Sequence, residues 1–114
     1  MDIFYALAEP TRRKILELLA DKGELSATEI YANFAVSPPA ISQHLKVLRE
    51  ANLVSMKKRA QQHIYQINPQ AVLELDDWAK RLAQLWDQRF VALDKLVKME
   101  QEKNTKNLSG GKEK

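Results

Sequence analysis

Cysteine is absent from the 114 residues, which excludes disulfides, thiolate metal ligands and thiol redox chemistry. Glycine is scarce. Gly110 and Gly111 sit near the end, leaving Gly23 alone before them, so no glycine-rich phosphate cradle can be assembled. The two histidines are His44 and His63, and none follows, which removes a histidine–carboxylate ligand set from the last third of the chain. No apolar run approaches the roughly 20 residues of a membrane span, and the N-terminus has no secretory hydrophobic region. The chain offers little for catalysis. The expectation is a cytoplasmic protein that is not an enzyme, with no membrane association, no cofactor and no metal.

What is present is ordinary for a globular domain, 45% hydrophobic and 29% charged. The net charge of +3 is mild, but it is not evenly spread. Residues 1–51 carry six cations and seven acids, a net of −1, whereas 52–70 hold Lys57, Lys58 and Arg59 and no acid. Three adjacent cations are either a solvated hairpin tip or a phosphate contact. Their neighbours decide between these.

Helical spacing runs through the first half. Ile3, Phe4 and Leu7 share one face of a short segment punctuated by Pro10. Thr11–Ala20 is expected to be a helix with Ile15, Leu16, Leu18 and Leu19 available to the core, ended by Gly23. Ser26 and Glu29 form a capping box opening a helix that ends near 33–35, with Ile30 and Phe34 on its buried edge. After a turn of about three residues, Ser37 is a good N-cap for a helix whose first residue, Pro38, loses nothing there. Ile41, Leu45 and Leu48 anchor it, leaving Pro39, Ala40, Ser42, Gln43, Lys46 and Arg49 on open sides. Small, amide, hydroxyl and cationic groups suit base edges and phosphates. His44 lies about 60° from the middle of the buried face, as a partly buried side chain or a phosphate contact in preference to a metal ligand.

Two strand-like runs follow, 52–56 and 63–67, around the basic tip from Lys57 through Arg59, Gln61 and Gln62. Helix, turn, helix and then two strands with a basic tip is the order of a winged helix-turn-helix. From Gln70 to about Lys103 one amphipathic helix is expected, its stripe running through Leu75, Trp78, Leu82, Leu85, Trp86, Phe90, Leu93, Leu96 and Val97 at coiled-coil-like spacing. Trp78 and Trp86 share a face, either as part of a hydrophobic interface or as an aromatic effector pocket. Asp76 and Asp77 diverge by about 100° on a helix and cannot both face one ion. The fold is thus mainly α with a small β-hairpin, a domain over 1–103 and a polar, disordered tail over 104–114.

Three stretches together resemble the ArsR-type winged-helix transcriptional repressors over roughly residues 2–97: Pro10 to Leu16, Ala40 to Arg49, and Leu53-Val54 leading into the hairpin. Trp86 to Phe90, with Leu93, is similar to a subgroup with a tryptophan-bearing last helix and no recognised metal site, whose members are typically autorepressors. The resemblance implies a homodimer on double-stranded operator DNA with an inverted repeat. Its first and last helices would pair through Ile3, Phe4, Leu7, Leu75, Trp78, Leu82, Leu85, Trp86, Phe90 and Leu93. Ser42, Gln43 and His44 would enter the major groove, Lys46 and Arg49 would meet phosphates, and 57–62 would form the wing. An inducing small molecule or protein is compatible with it. The chain departs from the family pattern at three places, with Ala35, Asn52 and Ala60 where glycine is usual, and Gln61 replaces the wing arginine. Without that arginine, wing contacts shift from a narrow minor groove towards phosphates. A protein-binding winged helix and a nonspecific architectural DNA binder are the competing readings.

Overall fold

The computed structural model describes the backbone of residues 2–108 and, within it, the side chains outside 90–95 and 101–108. In chain order the elements are α1 (Ile3–Leu7), α2 (Pro10–Lys22), β1 (Glu24–Ser26), α3 (Ala27–Tyr31), α4 (Pro38–Glu50), β2 (Val54–Arg59), β3 (Gln62–Ile67) and α5 (Pro69–Leu108). The chain divides into two compact units, 1–76 and 77–114. The first holds everything up to β3 and the opening of α5.

Helix starts follow local chemistry. The Glu9 carboxylate caps α2 by accepting from the Thr11 and Arg12 amides at 2.6 and 3.2 Å. Pro10 therefore begins the helix, one residue before Thr11, because an N1 proline forfeits no hydrogen bond. The capping box forms as expected: Ser26 Oγ accepts from the Glu29 amide at 3.1 Å, and the Glu29 carboxylate accepts from the Ser26 amide at 2.8 Å. Ser37 Oγ accepts from the Ala40 amide at 3.3 Å and opens α4.

Of the next two helix ends, that of α3 departs from the expectation and that of α4 follows it. α3 stops at Tyr31, short of 33–35, so residues 32–37 separate it from α4 where about three were expected. The amides of Asn33 and Phe34 bond back three residues to Ile30 and Tyr31, and Asn33 Nδ2 donates to the Glu29 carbonyl at 2.8 Å. These contacts tighten the turn and consume the last carbonyls. α4 closes in a Schellman arrangement. Asn52 takes φ 61°, its amide bonds the Arg49 carbonyl at 2.9 Å, and the Leu53 amide bonds Leu48 at 3.0 Å. Leu48 and Leu53, brought together by that motif, are both buried.

The sheet has three strands in the order β1-β3-β2, all antiparallel. β1 escapes sequence reading because three residues, from Glu24 to the Ser26 cap, are too few to show a period. Ile15, Leu19, Ile30, Ile41, Leu45, Leu48, Leu53, Val54 and Tyr65 form the core of the first unit, with Leu16 and Phe34 half-buried against it. α5 runs to Leu108, past the expected end at Lys103, so 104–108 is helical, while 109–114 lies outside the described residues.

Candidate nucleic-acid interface

α4 is anchored by three fully buried side chains, Ile41, Leu45 and Leu48. Pro39, Ser42, Gln43, Lys46 and Arg49 are exposed along it, and Ser37 is exposed at its cap. Ala40 is half-buried. The Ser42 hydroxyl lies 2.8 Å from the Tyr31 hydroxyl, so α3 fixes its direction. Lys46, Arg49 and Glu50 border a shallow concavity of about 350 Å³.

His44 is turned inwards, with 21% of its side chain exposed. Its Nδ1 lies 3.2 Å from Arg12 Nη1, and its Nε2 is 4.0 Å from the Glu9 carboxylate. A guanidinium only donates, so a hydrogen bond between the two needs His44 Nδ1 as its acceptor. Arg12 is itself buried. It donates from Nε to the Ala6 carbonyl at 2.8 Å and from Nη2 to the Tyr5 carbonyl at 3.3 Å, with its guanidinium 5.4 Å from the Tyr5 ring centre. One side chain thereby ties the end of α1 to the middle of α4. For Glu9, burial pushes the carboxyl up, but the Thr11 and Arg12 amides and the nearby His44 and Arg12 outweigh it and hold it below its ordinary value.

In the hairpin, Lys57 pairs with Ile64, Lys58 with His63 and Arg59 with Gln62. Ala60 and Gln61 make the two-residue turn, and Ala60 carries φ 57°. Side chains alternate across a strand. Lys57 and Arg59 thus share a face with Glu24 of β1, and Lys58 shares the other with His63 and Tyr65. Arg59 Nη1 lies 2.8 Å from one Glu24 carboxylate oxygen and Lys57 Nζ 3.4 Å from the other. The Arg59 hydrogen bond is the largest influence holding the Glu24 carboxyl below its ordinary value, with Lys57 adding to it against partial burial. On the opposite face, burial raises the Tyr65 hydroxyl, the Arg49 charge opposes that, and Tyr31 adds to the rise.

The helix-borne and wing-borne candidates therefore lie in one unit. Glu9, Arg12, Glu24, Tyr31 and Tyr65 were missed by sequence reasoning. Arg12 stood inside the quoted Pro10 to Leu16 stretch, yet only the third dimension shows what it holds. Of the apolar interface candidates, Ile3 and Leu7 pack against the core of their own unit, while Phe4 and the unanticipated Tyr5 are exposed. Leu75 is half-buried, and Trp78, Leu82, Leu85 and Trp86 are exposed. The side chains of Phe90 and Leu93 lie outside the described residues. Among the described residues no cluster of three or more histidines and acids is placed to hold a metal ion, and no helix is long and apolar enough to cross a membrane.

A helix anchored by three aliphatic residues, presented after a short helix and followed by a basic hairpin, defines a winged helix-turn-helix DNA-binding regulator. Residues 9–56 match the family described as bacterial regulatory protein, arsR family. The chain is 36% identical over 77 residues to the transcriptional repressor SdpR of Bacillus subtilis, covering 68% of this chain and 84% of that one. It is 44% identical over 70 residues to the HTH-type transcriptional regulator Rv2034 of Mycobacterium tuberculosis, covering 61% of this chain and 64% of that one. The ArsR-like transcriptional regulator from Rhodococcus sp. RHA1 has a similar structure, with a TM-score of 0.69 and 28% identity over 82% of this chain and 88% of that one. The protein belongs to the ArsR family of winged helix-turn-helix transcriptional regulators, which are not enzymes.

Proposed function

We propose that this protein is a homodimeric, sequence-specific repressor that acts in the cytoplasm, controls its own operon and occupies an inverted-repeat operator. The observation that carries this reading is the exposed row Pro39, Ser42, Gln43, Lys46 and Arg49 on a helix whose other face is fixed in the core. Gln43 reads a base edge, its amide matching adenine N6 and N7. Lys46, Arg49 and the wing contact phosphates. Dimerisation is supported by the large apolar side chains exposed on α1 and α5, Phe4, Tyr5, Trp78, Leu82, Leu85 and Trp86 among them. The pairing of these helices belongs to the same reading. SdpR, a transcriptional repressor by name, supports repression as the outcome.

Selection of bound fragments from the source genome, followed by anisotropy on the selected duplex and a scrambled copy, tests it. Tight, salt-sensitive binding to the selected duplex alone is expected. Equal binding to both duplexes would make the protein a nonspecific architectural binder.

A further inference from the structure

We propose that Glu24 is a positioning residue of the wing, holding Lys57 and Arg59 on one sheet face and withholding their charge from DNA. The inference rests on the DNA-contacting role of the wing proposed above. Three observations carry it. Strand register puts Glu24, Lys57 and Arg59 on the same face. Each carboxylate oxygen takes one cation, Arg59 at 2.8 Å and Lys57 at 3.4 Å. Lys58 is on the other face, the one it shares with His63 and Tyr65.

Phosphates must compete with a carboxylate already seated on both outer cations. Counterion release scales with the phosphates a protein neutralises, so a clamped cation contributes little to it. Lys58 then acts as the cation through which the wing meets the backbone. Glu24 comes from a strand outside the hairpin, so it also fixes the direction of the hairpin's outer side chains.

The test is a salt titration of anisotropy on a fluorescein-labelled duplex of mixed sequence, several helical turns long. It compares wild type, Glu24→Gln, Arg59→Gln and the double variant, all checked for folding by thermal melts. Glu24→Gln should bind about tenfold more tightly near 0.1 M salt, and its log–log salt slope should steepen by about 0.9, for each cation released. Arg59→Gln should change little beside an intact Glu24, yet remove much of the gain beside Gln at 24. A purely structural Glu24 would not produce that non-additivity. Binding and slope unchanged in Glu24→Gln, or weakened binding, overturn the clamp while leaving the DNA reading intact. A flat salt response in the wild type would overturn both.

Discussion

Gln43 and Ala60 illustrate how single residues divide between reading DNA and shaping the chain. Gln43 is exposed on a helix pinned by Ile41, Leu45 and Leu48, so its truncation should leave the fold unchanged. Gln43→Ala is expected to cost about 1–3 kcal/mol at the cognate operator and relax preference at one base position, measured by anisotropy against single-base operator variants. Ala60 carries its Cβ at φ 57° in the hairpin turn, where glycine pays no steric penalty. Ala60→Gly should raise stability by about 1 kcal/mol, read from denaturant melts, since the left-handed strain outweighs the extra freedom of the unfolded chain. Ala35 departs from the family pattern at no such cost, as the positive-φ non-glycine residues among those described are Asn52 and Ala60.

At the scale of elements, carboxylates set helix starts and wing geometry. Glu9 and Glu24 are both held below the ordinary carboxylate value. A lowered folded value means that each stabilises the fold above its unfolded value and loses that contribution as pH falls through the folded one. Melts of wild type and Glu9→Gln should therefore differ most at neutral pH and converge as pH drops below about 4.5. The elements themselves were largely legible in sequence. Ser26-x-x-Glu29 and Ser37-Pro38 marked helix starts, because capping needs particular atoms at fixed offsets. The β1 strand was not legible, since its partner β3 lies some 40 residues away in sequence and supplies the pairing. The same gap hid Glu24, whose charge meets Lys57 and Arg59 through that pairing.

For the whole molecule, the proposed dimer links recognition to symmetry. Two copies related by a two-fold axis require a roughly palindromic operator with half-site centres about one helical turn apart. A dimer neutralising about six to ten phosphates should show a log–log salt slope near −5 to −9. Leu82 is 52% exposed on α5, within the apolar stripe. Leu82→Arg is expected to yield monomers by light scattering and to lose operator binding as a consequence. A variant that stays dimeric would refute that interface.

Local chemistry in the chain was enough to determine where helices begin, which face of α4 is apolar and where the basic hairpin lies, because caps, periodicity and charge are read from near neighbours. Tertiary structure alone decided that His44 turns to Arg12 and Glu9 and that Lys57 and Arg59 meet Glu24. Those contacts join residues whose separation in sequence carries no signal, and distance in space sets their energy.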